Sequence, residues 1–461
     1  MSKINEYNEL ATNHFEEKKF LDAKLKKDKK GRKEYEGNEF ALEIVEQFIK
    51  SNKELIKFHK AEFEKYDTLA YKEMKKENVD VSKMYLDQTK KGTTKESRAD
   101  RSVRYYHYRD WNTASLEEKE RWGIDLVKAS LQRSANPVVS CSFGIDSIVT
   151  LYITRKALEE LGRDPSEIQV IWNDTLNEFP EVRMYANQLV KDWNLNLIVS
   201  KPKMPLKKVI EKHGGVDSSY FFTRKGDRRN GRPLSEKCCG TLKHEPMKRA
   251  INENNWDLVI NGLRSDESTQ RLRAGLRDGE YFYSNTEWKA FVCRPIMWMT
   301  EEDIWDYVEI EKIPYNDLYD QNTIKKYPQD LESVIKSYIE DLHKTNIDID
   351  KLKAEQLSKV TKKQAFLLEK IGFKIYTPRT GCMQCPVGVK YGYLQWMRLT
   401  HPKIYNSMIH SLGYGKALLG MIPDDVKEEI EFVMGIDLSE DNAHEFMKDI
   451  LETKPCVFDK F

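Results

Sequence analysis

The chain has 461 residues, of which 33% are charged, yet its formal net charge is only +1. That length allows two or three domains with at least one large core, and the near-neutral balance excludes a global basic field of the kind that gathers nucleic acid. No run of about 18 apolar residues offers a membrane-spanning helix, and the opening Met1–Glu6 lacks the apolar region of a secretory signal, so a soluble, cytoplasmic protein is expected.

Residues 1–110 are rich in Lys and Glu, and Leu42, Val45, Phe48 and Ile49 recur near a 3.6-residue period. This predicts a helical N-terminal region. Two local basic clusters lie within it: Lys24–Lys33, readable as a solvated face or a phosphate-backbone contact, and Arg98–Arg109, whose tyrosines could stack bases or pack a domain junction.

The texture changes at Trp111. Leu116–Leu131 reads as an amphipathic helix. Pro137–Ser140 is a short apolar strand feeding a small-residue turn, Cys141–Ser147, and an apolar helix follows from Ile148 to Ala157. A strand, a Ser/Gly turn and a helix start together suit one bound anion, because successive N–H groups and the helix dipole converge there. Further strands at Gln169–Thr175, Leu195–Val199 and Trp256–Gly262 alternate with a helix at Glu181–Trp193. The alternation predicts a doubly wound, mostly parallel α/β sheet over residues 111–320, with ligands at the carboxyl ends of its strands. Ser142–Ser147, Asp174–Glu178 and Gly262–Arg271 all fall at such ends. A helical insertion is expected over 321–375, from Leu331, Ile335, Tyr338 and Leu342, and a Cys-x-x-Cys segment with a helical remainder over 376–461.

The seven cysteines are Cys141, Cys238, Cys239, Cys293, Cys382, Cys385 and Cys456. An odd count without a signal segment argues against a disulfide framework. An adjacent pair followed much later by Cys-x-x-Cys favours metal or cluster ligation. Adjacent ligands suit iron–sulfur better than structural zinc, whose pairs usually have a two- to four-residue spacer, with unligated thiols the remaining alternative.

Several ordered motifs go further. Ser142-Phe143-Gly144-Ile145-Asp146-Ser147 is similar to S-G-G-x-D-S and to S-F-G-x-x. Asp174–Glu181 resembles D-T-G-x-x-F-P-E-T, and Gly262–Arg271 resembles G-x-R-x-x-E-S-x-x-R. Pro295–Trp305 with Ile313–Asn316 resembles P-x-x-W-T-x-x-D-V-W…I-P-Y-N, and Cys238–Met247 resembles C-C-x-x-x-K-x-x-P-L. Their order over residues 115–400 resembles the phosphoadenosine-phosphosulfate (PAPS) reductase family, within the PP-loop ATP pyrophosphatases of adenine nucleotide alpha hydrolase-like fold. The resemblance implies an adenine nucleotide, ATP or adenosine phosphosulfate (APS) or PAPS, on Ser142, Phe143, Gly144, Asp146, Ser147, Asp174, Thr175, Glu178, Gly262 and Arg264. It implies Mg²⁺ with the nucleotide, catalytic roles for Asp146, Lys243, Arg264 and Arg271, and a [4Fe–4S] cluster, or alternatively zinc, on Cys238, Cys239, Cys382 and Cys385.

Two departures shape the expected activity. Cys456, in Lys-Pro-Cys-Val-Phe, lacks the E-C-G-x-H tail of the reductases, and Asp146-Ser147 follows the ATP pyrophosphatase form of the loop. The leading expectation is therefore ATP cleavage between α- and β-phosphates with sulfur transfer to an acceptor such as nucleic acid, with a sulfur donor as partner. The alternatives are a sulfonucleotide reductase served by a thioredoxin-like reductant, and a non-catalytic nucleotide-sensing regulatory or defence protein.

Overall fold

The computed structural model describes residues 3–31, 38–76, 108–216, 234–284 and 288–446, apart from 358, 379 and 392. Helices α1 (Lys3–Gly31) and α2 (Glu39–Lys76) form the N-terminal region. They run antiparallel, since Tyr7 stacks near Tyr66, His14 meets His59 and Asn52 donates to Asp28. Leu42, Val45 and Ile49 are half-buried, whereas Phe48 stays exposed. The basic run ends α1 from Lys24 to Gly31; most of the cluster Arg98–Arg109 and all of Cys456 lie outside the described residues.

Helix α3 (Leu116–Gln132) starts at a capping box of Ser115 and Glu118 and leads into β1 (Pro137–Ser140). Then come α4 (Ile145–Glu160), β2 (Gln169–Asn173), α5 (Pro180–Asp192), β3 (Asn196–Ser200) and β4 (Leu258–Asn261). Two more strands, β5 (Tyr281–Ser284) and β6 (Ala290–Cys293), complete a six-stranded sheet of order β3-β2-β1-β4-β6-β5. All neighbours are parallel except β5 and β6. This is the doubly wound architecture the alternation predicted. The antiparallel β5–β6 edge hairpin escaped it, because β5 is a partly buried edge strand and lacks the buried apolar run that marks the equally short β1 and β4.

Chain direction across the sheet reverses between β1 and β4, so a crevice opens beyond their carboxyl ends. Helix α4 descends from that crevice and is buried at ten of its sixteen positions. It is therefore an inner helix, held beneath α3 and α6 (Glu301–Glu311), with Lys119 of α3 paired to Asp303 of α6 at 2.6 Å.

Residues 321–375 were expected to be helical. They do contain helices, including Leu331–Ser337, Ile339–Lys344 and Lys362–Lys370, but also a ribbon in which β7 (Thr323–Lys326) pairs with β8 (Lys374–Tyr376). Ile335, Leu342, Leu352, Leu368 and Phe373 give this segment its own core, while Tyr338 is exposed at the break between two helices. The helices after Tyr393 instead join the core of the large sheet through Leu394, Trp396, Met408, Tyr414 and Leu418.

Candidate functional site

The turn after β1 is built around a buried phenyl ring. Phe143 has φ of +57°, a left-handed conformation costing a non-glycine residue about 1–2 kcal/mol. Its ring is fully buried, edge-on to Trp172 at 5.2 Å, and burial of that size offsets the strain. Only the backbone of Phe143 is thus left to meet a ligand. Ser147 is buried as well. Its hydroxyl donates to the Gly144 carbonyl (2.8 Å) and accepts from the Ser142 N–H (3.2 Å), tying the turn to the first turn of α4. Ser142 is exposed at the rim. The first N–H groups of α4 have no carbonyl acceptor within the helix, so the turn presents the donors an anion needs.

The loop after β4 closes on this turn. A Cβ at Gly262 would lie 2.6 Å from the Asp146 carbonyl oxygen and 2.8 Å from Thr150 Oγ1, so only glycine lets the two loops touch. Arg264, nearly buried, places Nε 2.7 Å from Asp146 Oδ1 and Nη1 3.3 Å from Asp266 Oδ2. Burial pushes the Asp146 carboxyl above its ordinary range despite the opposing pull of Arg264. Arg271 forms its ion pair with Glu267 on the same turn and contributes only electrostatically at Asp146. Arg264 and Asp146 are therefore brought together at the crevice, with Arg271 farther back.

One strand over, the loop after β2 meets the second cysteine pair. Asp174 is buried and takes a bidentate pair from Arg183 (2.7 and 2.8 Å), while its Oδ1 also accepts the Leu176 N–H. Thr175 donates to Glu178 Oε1 at 2.6 Å, and the Cys382 thiol reaches Thr175 Oγ1 at 3.5 Å. An isolated β-bridge joins Glu178 to Cys382, and the Met383 N–H donates to the Asn177 carbonyl at 2.7 Å. Leu176 has φ of +61° and a half-exposed side chain, at the place where the resembled motif has glycine.

The first cysteine pair ends the helix Leu234–Cys239, which runs through a π-helical turn, Gly240–His244, into the helix Glu245–Asn254. Such turns often mark functional sites. Here Asn173 at the end of β2 donates to the carbonyls of Leu242 and Lys243, holding the turn over the strand's carboxyl edge. Burial pushes the Cys238 thiol up to about 12, with Cys385, Cys239 and Cys382 raising it further. Burial likewise pushes Cys382 to about 11, against the lowering influence of Lys243. Burial raises Cys385 as well, opposed by N–H groups of Val387 and Gly388. Lys243 keeps exposed surface, yet its ammonium is held above its ordinary value by Cys382 first and by Cys239, Glu178 and Cys385 after it. Four thiols and one cation therefore share a neighbourhood.

Among the described residues, no three His, Cys, Asp or Glu converge tightly enough to ligate a single metal ion. A [4Fe–4S] cluster takes one thiolate on each of four irons, and a structural zinc takes up to four thiolates directly, so four cysteines match the donor count of either. Four mutually sensed thiols beside a lysine are a donor set that fits the cluster.

Sequence reasoning missed the groups that hold these loops. Arg183 lies outside the motifs singled out for the site. The Tyr414 hydroxyl donates to the Gln384 carbonyl at 2.6 Å and that of Tyr393 donates to the Met383 carbonyl, so the C-terminal helices fix both middle residues of Cys-x-x-Cys. No spacing rule reports such partners. The apolar cluster Tyr393, Leu394, Trp396 and Met397 is the signal the sequence offers there.

Fold and site together define an α/β protein with a strand-to-helix turn at the switch point of its sheet and two cysteine pairs on neighbouring segments. The profile of the phosphoadenosine phosphosulfate reductase domain matches residues 136–388, more than half of the chain, and the chain belongs to that family. A protein-tyrosine phosphatase profile also matches residues 37–193, about a third of the chain. In that stretch Cys141 is fully buried and its thiol is pushed up to about 11, which leaves no thiolate for attack.

Among curated relatives, sulfate adenylyltransferase subunit 2 of Geotalea daltonii is 26% identical over 226 residues, covering 44% of this chain and 67% of the relative. Phosphoadenosine 5'-phosphosulfate reductase of Xylella fastidiosa is 28% identical over 221 residues, covering 46% and 76%. Among solved structures, a PAPS reductase from Candida auris in complex with phosphate aligns with a TM-score of 0.33 and 18% identity, covering 50% of this chain and 94% of that one.

Proposed function

We propose that the chain binds an adenine nucleotide with its phosphates on the Cys141–Ser147 turn and uses ATP in sulfur transfer to an acceptor such as a nucleic acid. The observation that carries this reading is the placement of turn and thiols on one edge of one sheet, after the adjacent strands β1 and β2. Strands so paired stand about 4.8 Å apart, so loops leaving them can touch one small molecule. Phosphates would take the N–H groups of the turn and of α4, with Mg²⁺ balancing their charge, and Asp146 is the carboxylate nearest to hold it. Arg264, oriented by Asp146 and Asp266, has Nη2 left to meet charge developing between the α- and β-phosphates. Thr175 and Glu178 border the nucleoside end, and Asp174 keeps their loop in place.

Cys238, Cys239, Cys382 and Cys385 would hold a [4Fe–4S] cluster, which when bound supplies an iron site able to present sulfur. Lys243 brings a positive charge within electrostatic reach of these thiols and Glu178, where it can attract an anionic sulfur species. The two tests are direct. Protein purified without oxygen is expected to carry about four irons per chain. ATP incubated with it and with DNA or tRNA is expected to release pyrophosphate. Zinc in place of iron, or no pyrophosphate with any acceptor, overturns this reading.

A second reading has one observation in its favour, since a relative is named a phosphoadenosine 5'-phosphosulfate reductase. It predicts sulfite from APS or PAPS with a thioredoxin-like reductant, abolished in Cys456→Ser.

A further inference from the structure

The phosphate turn and the cysteine turn meet through two hydroxyls that the motifs do not include. Tyr319 follows the Ile313–Asn316 segment on a single 3₁₀ turn, Asp317–Asp320, and is almost completely buried against Trp305. Its oxygen accepts the Ile145 N–H, the first of α4, at 2.9 Å. The same hydroxyl lies 2.9 Å from Thr380 Oγ1. Thr380 is two residues ahead of Cys382.

The absence of a side chain at Gly144 shows how these groups are aimed. The point its Cβ would occupy is 2.5 Å from Thr380 Oγ1, 3.4 Å from Tyr319 Oη and 3.5 Å from Ser142 Oγ. Three hydroxyls from three distant parts of the chain thus crowd one point above the turn, where an arriving atom must shift the Thr380 side chain. Hydroxyls that rotate freely are donors an oxyanion can recruit, and a charged acceptor competes well against a phenol oxygen for a backbone N–H.

We propose that Tyr319 and Thr380 complete the phosphate cradle and position the Cys382–Cys385 turn according to whether the cradle is filled. This rests on the nucleotide reading given above. A phosphate oxygen arriving over Gly144 takes the Ile145 N–H, and the hydroxyls of Tyr319 and Thr380 turn to donate to it. Thr380 is thereby drawn onto the ligand, and the backbone leading to Cys382 is fixed. Both are positioning residues, since they act on the thiols only through the chain between residues 380 and 382.

The test uses the full chain as purified, with ATP and PAPS as probes. Affinity is measured by calorimetry, and backbone hydrogen exchange is followed at residues 141–148 and 381–388. In the parent, a saturating nucleotide is expected to slow exchange in both segments. Thr380→Ala is expected to bind about tenfold more weakly, as loss of one hydrogen bond to a charged group implies. At saturation it should still protect 141–148 while no longer protecting 381–388. Thr380→Ser, which keeps the hydroxyl, should restore both. Tyr319→Phe should behave like Thr380→Ala. If the parent binds nucleotide and protects 141–148 but not 381–388, or if Thr380→Ala matches the parent in both segments, the inference is overturned and the nucleotide reading stands. If neither probe binds, the nucleotide reading itself falls.

Discussion

Arg183→Met tests how the loop after β2 is held. The substitution keeps most of the side chain's length and removes the guanidinium that makes two bonds to Asp174, at 2.7 and 2.8 Å. Asp174 is 3% exposed, so it loses its partner in a place with little water, and its remaining side-chain bond is to the Leu176 N–H. Breaking a buried pair from one side costs about 3–5 kcal/mol. Arg183 is itself 38% exposed, so solvent already screens part of the pair. We therefore expect about 2 kcal/mol, or roughly thirtyfold in the folded-to-unfolded ratio. For a chain of this size that lowers Tm by about 2–3 °C. The damage should be local as well, because the same loop carries the Thr175–Cys382 contact and the bridge from Glu178 to Cys382. Iodoacetamide should accordingly label Cys382 faster in metal-free Arg183→Met than in the parent. Adding Asp174→Asn should recover part of the lost stability, since the stranded charge is then gone. A Tm within 1 °C of the parent and unchanged labelling would refute the view that this pair holds the loop.

Three further expectations follow from other contacts. Gly262→Ala forces a Cβ to 2.6 Å from the Asp146 carbonyl, which is backbone and cannot swing aside; a loss of about 2–3 kcal/mol is expected in thermal melts, with weakened ATP binding. Lys243→Met removes the cation that lowers the Cys382 thiol, so at pH 8 the thiolate becomes scarcer and labelling of metal-free protein slows. Glu181 is held below the ordinary carboxylate range chiefly by its hydrogen bond with His401, at 2.8 Å. Its contribution is present above the unfolded value of about 4.3 and is lost as pH falls through the lower folded value; Glu181→Gln should flatten that acid limb of a Tm-against-pH curve.

The central sheet was legible because buried parallel strands are apolar runs that end in small or polar residues. Val138, Val139, Val170, Ile171, Val259 and Ile260 all reach the interior as that pattern implies. Loops were legible where a residue type has one physical use, as with Gly262, whose Cβ has no room. They were illegible where a side chain's partner decides its role. Asp174 reads as a ligand group in the sequence, yet both its oxygens are engaged by Arg183, nine residues on and a full helix start away. Phe143 reads as part of a binding turn, and its ring is instead the anchor beneath it. The edge hairpin of β5 and β6 and the ribbon of β7 and β8 were illegible for another reason. Strands β5, β7 and β8 are only partly buried, so they lack the continuous apolar run that made the equally short β1 and β4 legible.

The order of the chain explains why the two halves of the site need physical links. The turn that receives phosphate and the Cys-x-x-Cys segment are separated by more than 230 residues, including an insertion with its own core. Helix geometry alone cannot register them, because the segment from Thr380 to Cys385 forms no long regular element of its own. Its position comes instead from groups contributed by every neighbour: Tyr319 from the segment before the insertion, Asn177 and Glu178 from the loop after β2, and Tyr393 and Tyr414 from the C-terminal helices. Most of these bonds end on backbone atoms, so they fix where the turn lies without specifying which side chains it carries. The cysteines can then be placed for chemistry alone. That division of labour also makes a directional demand. A ligand that alters the bond between Ile145 and Tyr319 acts on a tether that starts at the phosphate turn, while the other tethers hold the far end still. Motion imposed at Thr380 must therefore be taken up between Thr380 and Cys382, at Gly381, around whose Cβ position there is open space.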